Sequence, residues 1–221
     1  MIALLPMKDN SERVPGKNIK PLNKVPLFYY IADTLKKSNL FSVLAVNTDS
    51  EKISKLAKRR YGNWVEIVDR PKGLCGDYVS MNDIIAHDIE YFGVDNDYFQ
   101  THSTNPFLKL ETIIKASKNY ISCKELGECN SVFSVNSIKT RLYDKNLKPI
   151  NHNLNILERT QDLESIYEEN SNFYFFSGSV FKEKSHRIGS QPIPFIMDRN
   201  SIESLDIDSM SDWLLAESFF K

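Results

Sequence analysis

Short apolar stretches alternate with helical patterns along most of the 221-residue chain, and this alternation constrains the fold more than any other feature. Apolar runs predict strands at residues 2–5, 43–46, 64–68, 98–101, 131–135, 173–176 and 204–207. Apolar residues at helical spacing predict helices over 26–37, 51–60, 80–92, 111–121 and 211–220. Strand–helix units of this length predict an α/β fold, with a mostly parallel sheet covered by helices on both faces.

The alternation stops between residues 136 and 170, which are polar and rich in asparagine. A long polar interruption inside a compact fold is typically an insertion with its own role. The length of the chain fits a single domain. We therefore predict one domain over 1–221, with 136–165 as an insertion used for dimerisation or substrate binding.

Charge and cysteine content exclude several classes of protein. The net charge is −1, which argues against a general nucleic-acid or membrane-surface binder. The first apolar run is too short for a signal peptide, and no run approaches transmembrane length. The three cysteines are odd in number and lack metal-ligand spacing, which predicts reduced thiols and a cytoplasmic protein.

A cationic loop follows the first predicted strand and carries Lys8, Arg13 and Lys17. Between Lys8 and Lys24 there are five basic residues against two acidic ones. Ligands of open α/β sheets bind beyond the carboxyl ends of the strands, and Lys and Arg suit phosphate groups there. The alternative for such a run of charge is a solvated surface loop.

The segment 204–209 places two aspartates at alternate positions, Asp206 and Asp208, between the apolar Leu205 and Ile207. In a strand the two carboxylates lie on one side and repel each other unless a cation lies between them. Magnesium prefers such oxygen ligands. The alternative is a strand edge with two exposed acids.

Two further polar segments could contact a ligand. Arg159 and Gln161 lie in the interrupted region, where a surface turn is an equal alternative. His102 follows the strand predicted over 98–101, as a general base or as a structural hydrogen-bonding residue. Neither GxGxxG after the first strand nor GxxxxGK[ST] is present, which argues against a dinucleotide fold and a P-loop.

Several motifs, in the right order, resemble the acylneuraminate cytidylyltransferase family, which makes CMP-sialic acid and related CMP-activated sugar acids. The resemblance spans nearly the whole chain. The motifs are Leu5-Pro6, Lys8 to Ser11, Val14 to Ile19, Val46 to Asp49, Arg70-Pro71 with Asp77, Thr104 to Pro106, Arg159 to Leu163, Asn170 ahead of Phe173 to Phe176, and Ser204 to Asp208 with Asp212 and Ala216-Glu217.

The resemblance implies a Rossmann-like nucleotidyltransferase fold with a protruding dimerisation element, and a homodimer. It implies that CTP is bound by Lys8, Asn10, Ser11, Arg13, Lys17, Asn18, Arg70 and Asp77. It implies that Asp206 and Asp208 hold Mg²⁺ and act in catalysis with Lys17, which lies at the phosphates. It places Gln100, His102, Arg159, Gln161 and Asn170 near the acceptor sugar.

The chain departs from the family at Lys8, usually an arginine, at Glu12, and at His102, where sialic acid synthetases have a glutamine. Gln100 is a candidate substitute for that glutamine. The expected function is magnesium-dependent transfer of CMP to a sugar acid, either a sialic-acid-like nonulosonate or another acceptor such as 3-deoxy-octulosonate or a phosphonate. A metal-dependent glycosyltransferase and a non-catalytic nucleotide-binding regulator are the alternatives.

Overall fold

The computed structural model describes residues 1–9, 11–76 and 78–220. The strands are β1 (Ile2–Leu4), β2 (Pro21–Leu22), β3 (Val25–Pro26), β4 (Val43–Thr48), β5 (Val65–Asp69), β6 (Asp97–Thr101), β7 (Ser131–Ile138), β8 (Ile166–Ser177) and β9 (Pro192–Met197). The α-helices are α1 (Leu27–Ser38), α2 (Glu51–Tyr61), α3 (Met81–Phe92), α4 (Leu110–Glu125), α5 (Gly178–Lys184) and α6 (Met210–Ser218).

Seven strands form one sheet in the order β5-β4-β1-β6-β8-β7-β9. Strand β1 pairs in parallel with β4 and β6, β4 with β5, and β7 with β9, whereas β8 runs antiparallel to β6 and β7. Strands β2 and β3 form a separate two-stranded ribbon. The predicted α/β fold with a mostly parallel sheet is confirmed.

Both faces of the sheet are buried, as alternation along β1 shows. Ala3 packs in a cluster with residues of α1, α2 and α4. Ile2 and Leu4 pack on the opposite face with residues of α3 and α5. Successive side chains of a strand point to opposite faces, so a short apolar strand is buried on both sides only when helices cover both. Among the described helices, none is long and apolar enough to span a membrane.

A third apolar cluster joins the opening loop to α6. Val14 and Leu27 meet Ile207 and Trp213 there, all at most 1% exposed. Removing a fully buried aromatic side chain typically costs about 3–5 kcal/mol. Trp213 therefore holds two segments together that are distant in sequence.

The prediction of a strand over 204–207 is wrong. Ile202–Ser204 is a 3₁₀ turn, and residues 205–208 belong to no strand of the sheet. The Ile207 amide bonds to the Thr104 carbonyl at 2.9 Å. Alternation of apolar and acidic residues is the same in an extended loop as in a strand, because one side is buried in both. The prediction missed strand β9 of the seven-stranded sheet and the short ribbon of β2 and β3.

The interrupted region is shorter than predicted, because β7 continues to Ile138 and β8 begins at Ile166. These two residues are paired, so the ends of segment 139–165 meet at the tip of the β7–β8 hairpin. The outer half of β8 is polar and largely exposed, which hid it from apolar patterning. The role of the insertion in dimerisation stays a prediction.

The prediction of three reduced thiols is wrong for one pair. Cys123 and Cys129 form a disulfide across the end of α4, with Cα atoms 5.4 Å apart, and Cys75 is free. Four backbone bonds turn the chain back at this point, two of them from the amides of Glu128 and Cys129 to the Cys123 carbonyl. A tight turn brought together two cysteines whose spacing matches no common motif.

Candidate active site

A cavity of about 530 Å³ opens beyond the carboxyl ends of β1, β5 and β6. Lys8 reaches it from the loop after β1, Arg70 from the end of β5, and His102 from the end of β6. This is the position where ligands bind in open α/β sheets. The opening loop and the Asp206–Asp208 segment close the same cavity.

Lys17 is held in a tight turn of the opening loop. Its amide bonds to the Val14 carbonyl at 3.1 Å, and the Ile19 and Lys20 amides bond to the Gly16 carbonyl. Gly16 has φ of +63°, a conformation that glycine adopts without steric cost. Buried Val14 fixes one end of this turn, so the sequence Val-Pro-Gly-Lys presents Lys17 from a rigid loop.

The Lys17 ammonium connects this loop to the aspartate segment. Its Nζ donates to the Ile207 carbonyl at 2.6 Å and to Asp208 Oδ1 at 3.3 Å. Arg13 Nη2 donates to the same Oδ1 at 3.0 Å, from a largely exposed side chain. The exposed Arg13–Asp208 ion pair contributes little to stability. The Lys17 side chain is only 10% exposed, so its two hydrogen bonds order the site.

The start of α6 fixes the backbone of Asp208, the second of the two aspartates. Ser209 and Asp212 form a capping box, and the Asp212 carboxylate also accepts the Asp208 amide at 3.1 Å. Asp206 Oδ1 is buried without a hydrogen-bond partner among the described residues. Burial raises the pKa of the Asp206 carboxyl, and the neighbouring Asp208 adds to that rise. An unpaired buried carboxylate oxygen beside a second carboxylate is suited to a cation.

Asn18 serves as a brace between strand ends. Its Nδ2 donates to the Lys8 carbonyl at 2.8 Å, and its Oδ1 accepts the Ser103 hydroxyl. The side chain is 8% exposed. Asn18 and Ser11 both line the cavity, and the two hydrogen bonds give Asn18 a positioning role in addition to the contact with CTP that the resemblance implies.

Arg70 is oriented by a buried polar network under the cavity. Its Nε donates to Asn47 Oδ1 at 2.8 Å and its Nη2 to the Asn47 carbonyl at 2.7 Å. Asn47 Nδ2 donates in turn to Asp88 Oδ1 at 2.7 Å and lies 3.2 Å from His87 Nδ1. Asp88 is fully buried, and burial raises the pKa of its carboxyl to about 7.

This network gives a pH-dependent prediction for Asp88→Asn. In the folded wild-type protein the Asp88 carboxyl keeps its proton up to about pH 7, whereas in the unfolded chain it releases the proton near pH 4. Wild-type stability from this group therefore falls as pH rises from about 4 to about 7. We expect the variant to lack this fall and to be more stable at pH 8, by on the order of 2–4 kcal/mol.

Urea denaturation of both proteins between pH 4 and pH 9 measures this difference. Asp95→Asn, an exposed substitution of the same chemistry, is the matched control and should leave the pH dependence unchanged. A constant difference between wild type and Asp88→Asn across this range contradicts the prediction.

His102 and Gln100 occupy different depths. His102 lines the cavity, while Gln100 lies fully buried behind it with its Nε2 3.1 Å from His102 Nε2. Burial and the charges of Arg187 and Lys17 lower the pKa of His102 to about 3. A neutral histidine with so low a pKa is a poor general base near pH 7. We therefore assign His102 a hydrogen-bonding role.

The remaining predicted residues lie away from the cavity or outside the described chain. Arg159 pairs with Asp162 at 2.6 Å on the surface of the insertion, and the Gln161 carbonyl accepts Lys139. Asn170 donates to Asn136 Oδ1 at 2.9 Å. Asn10 and Asp77 lie outside the described residues. The roles predicted for these five residues stay predictions.

Sequence reasoning missed Arg187, which lines the cavity from the segment between α5 and β9. It also missed Ser171, at positive φ in β8. Neither residue lies in a recognisable motif. Arg187 is one of many isolated basic residues in the sequence, and only the fold brings it to the cavity.

The cavity suits an anion with an apolar part. Five basic side chains line it against three acidic ones, and the bases are Lys8, Arg13, Lys17, Arg70 and Arg187. Val79, Met81 and Ile84 supply an apolar wall at the start of α3. Such a wall fits the faces of a planar base, and the basic side chains fit phosphate oxygens.

Solved structures share this fold at low sequence identity. A CMP:2-keto-3-deoxy-manno-octonic acid synthetase complexed with CTP aligns with a TM-score of 0.66 and 10% identity, covering 99% of this chain and 97% of that one. A 4-diphosphocytidyl-2C-methyl-D-erythritol synthase from Anaerococcus prevotii aligns with a TM-score of 0.67 and 10% identity, covering 99% and 95%. The predicted Rossmann-like nucleotidyltransferase fold is confirmed.

Curated proteins match over the whole chain. A pseudaminic acid cytidylyltransferase of Campylobacter jejuni is 23% identical, covering 100% of this chain and 96% of that protein. A CMP-N,N'-diacetyllegionaminic acid synthase of Legionella pneumophila is 28% identical with the same coverage. An N-acylneuraminate cytidylyltransferase of Escherichia coli O18:K1:H7 is 26% identical, covering 98% of this chain and 51% of that protein. The sequence model of the family described as cytidylyltransferase matches residues 2–214. This match confirms the resemblance and the nucleotidyltransferase activity predicted from it. The chain belongs to the cytidylyltransferase family.

Proposed function

We propose that this enzyme transfers CMP from CTP to a sugar acid and releases pyrophosphate. The acceptor hydroxyl loses its proton to water as its oxygen attacks the α-phosphorus, and the bond from that phosphorus to the bridging oxygen of the β-phosphate breaks. The observation that carries the proposal is the convergence of Lys17 with Asp206 and Asp208 in one cationic cavity. Catalysis of this kind consists mainly of positioning and charge neutralisation.

The described residues fit a magnesium ion that the nucleotide helps to bind. No cluster of three or more protein ligands exists in 1–9, 11–76 and 78–220. Mg²⁺ commonly binds through one or two carboxylates and completes its shell with phosphate oxygens and water. Asp206 and Asp208 would hold it, and its charge would offset the negative charge at the reacting phosphate.

Three of the five cationic side chains then have a defined task at the triphosphate. Lys17 neutralises charge on the departing pyrophosphate, from a position fixed by the Ile207 carbonyl. Arg70, held by Asn47, and Lys8 supply donors from the ends of β5 and β1. Val79, Met81 and Ile84 form the surface against which the cytosine packs.

The acceptor is proposed to be a nonulosonic acid of the kind named in the relatives: pseudaminic, legionaminic or N-acylneuraminic acid. His102 would contact it as a neutral hydrogen-bonding group at the end of β6. We propose 3-deoxy-manno-octulosonic acid as the second acceptor class, since a synthetase named for this acid, under its other name 2-keto-3-deoxy-manno-octonic acid, shares the fold.

Pyrophosphate release measured with purified enzyme tests the function. CTP and Mg²⁺ are incubated with N-acetylneuraminic, pseudaminic, N,N'-diacetyllegionaminic or 3-deoxy-manno-octulosonic acid. We expect release with CTP and one or more acids, loss of release with EDTA, and far slower release with ATP, GTP or UTP. CTP binding without release across the whole panel contradicts the proposal and indicates a nucleotide-binding regulator.

We further propose a cytoplasmic homodimer. The cytoplasmic location is proposed because the cytoplasm supplies CTP. The dimer is proposed because insertion 139–165 carries exposed apolar side chains suited to a contact between two copies of the chain, among them Leu154, Ile156 and Leu157. The Cys123–Cys129 disulfide is buried, which restricts its access to cytoplasmic reductants. Light scattering and cell fractionation test the two parts, and a monomer or a periplasmic protein contradicts them.

A further inference from the structure

We propose that Arg187 binds the carboxylate of the acceptor and thereby selects acids over neutral sugars. The proposal rests on the function proposed above and names a binding group for its second substrate. Arg187 lines the cavity, and its side chain is 13% exposed. It lies on none of the motifs that the resemblance covers.

The guanidinium of Arg187 is fixed in place before any ligand arrives. Its Cζ lies over the Tyr174 ring, 3.7 Å from the ring centroid. Nη1 donates to Gln100 Oε1 at 2.7 Å, and Nη2 donates to the Tyr174 hydroxyl at 3.0 Å. A guanidinium held by stacking and two hydrogen bonds loses little freedom when it binds a further group.

The positive charge of Arg187 is only partly balanced. The carboxylate oxygen Oε1 of Glu169 lies 3.6 Å from Nη2, belongs to a side chain that is 41% exposed, and already accepts the Tyr174 hydroxyl. The Arg187 Nε is buried without a hydrogen-bond partner among the described residues. A guanidinium has five N–H donors, so this one retains donors for an anion.

Its position separates Arg187 from the groups that face the triphosphate. Arg13 and Lys17 contact Asp208, and Arg70 lies at the end of β5. Arg187 instead donates to Gln100, whose Nε2 lies 3.1 Å from Nε2 of His102 at the end of β6. The cavity therefore carries a second cationic position on the His102 side, beyond what the phosphates of CTP require.

The chemistry of the acceptor explains why a carboxylate is the anion held there. In a 2-keto sugar acid the anomeric carbon carries both the attacking hydroxyl and the carboxylate. Fixing the carboxylate in a bidentate arginine fork therefore fixes the hydroxyl relative to the α-phosphorus. Arg187 would act as a specificity-determining residue without taking part in the bond changes.

Arg187→Gln and Arg187→Lys test the proposal, with Lys182→Gln on α5 as the matched control on an exposed cation. The probes are the four acids of the panel above and their methyl esters, which lack the charge. We expect Arg187→Gln to raise KM for the acid by about 10- to 100-fold, the effect of losing one hydrogen-bonded charge. KM for CTP should stay unchanged, and the preference for acid over ester should disappear. Arg187→Lys should restore part of that preference, because it keeps the charge and loses the fork.

Calorimetric binding of the same acids and esters separates this proposal from the proposed function. Turnover with unchanged acid preference in Arg187→Gln contradicts the role of Arg187 and leaves the function standing. Acid binding that depends on Arg187, without turnover, contradicts the function and supports the role of Arg187. If no acid binds, both are wrong. If Arg187→Gln does not fold, Arg187→Lys carries the test, and an unchanged KM for the acid contradicts the role of Arg187.

Discussion

Asp208→Asn is expected to lower kcat by at least about 10²-fold, the loss typical of removing one electrostatic stabiliser of a transition state. The side chain is 46% exposed, and the backbone amide of residue 208 keeps its bond to Asp212, so the fold should survive. The neutral amide cannot offset a cation or order Lys17 and Arg13 as the carboxylate does. Pyrophosphate release at increasing Mg²⁺ concentration measures both the turnover and the metal requirement.

The control for this variant is Asp95→Asn, which removes an exposed carboxylate in the same way and should leave kcat unchanged. Circular dichroism and the melting temperature establish that both variants are folded. Wild-type turnover and an unchanged Mg²⁺ dependence in Asp208→Asn contradict the assignment of this aspartate to the metal.

Lys17→Met is expected to lower kcat by about 10²- to 10³-fold, because the departing pyrophosphate loses its buried positive partner. Methionine is similar in length, so packing in the turn of the opening loop should persist. The variant also leaves the Ile207 carbonyl without its donor at 2.6 Å, which should lower stability by about 1–3 kcal/mol. Single-turnover kinetics at saturating CTP measure the chemical step.

Lys37→Met, an exposed substitution in the last turn of α1, is the control and should change neither kcat nor stability. Lys17→Arg keeps the charge and separates its effect from that of shape. Recovery of most activity in Lys17→Arg supports a role through charge, whereas full activity in Lys17→Met shows that Lys17 is not needed for the reaction.

Most of the sheet could be predicted because its strands are apolar and short, with a helix after nearly every one. Strand β8 breaks the pattern, since only its inner half, around Phe173 and Phe176, is buried. Strand β9 begins with Pro192-Ile-Pro194 and lies at the edge of the sheet, so proline hid it. A run of apolar residues indicates a strand that is buried on both faces of the sheet. It carries little information about edge strands that are half exposed.

The cationic loop and the aspartate pair could be predicted as two halves of a site because each is a local pattern. That the loop and the aspartate pair lie side by side is seen only in the tertiary structure, where Lys17 contacts Ile207 and Asp208. Arg187 could not be predicted, since its place at the cavity depends on Gln100 and Tyr174 from two other strands. The Asp88 network is hidden for the same reason.

The apolar cluster that joins Val14, Leu27, Ile207 and Trp213 has a consequence for the order in which activity arises. Every described strand of the sheet precedes Ile207 and Trp213 in the chain, so the strands can pair before α6 packs against the opening loop. Without α6, Asp208 lacks the Asp212 carboxylate that accepts its amide, and Ile207 lacks the Trp213 side chain that shares its apolar cluster. A chain in which the sheet has formed but α6 has not yet packed against the opening loop therefore remains unable to consume CTP.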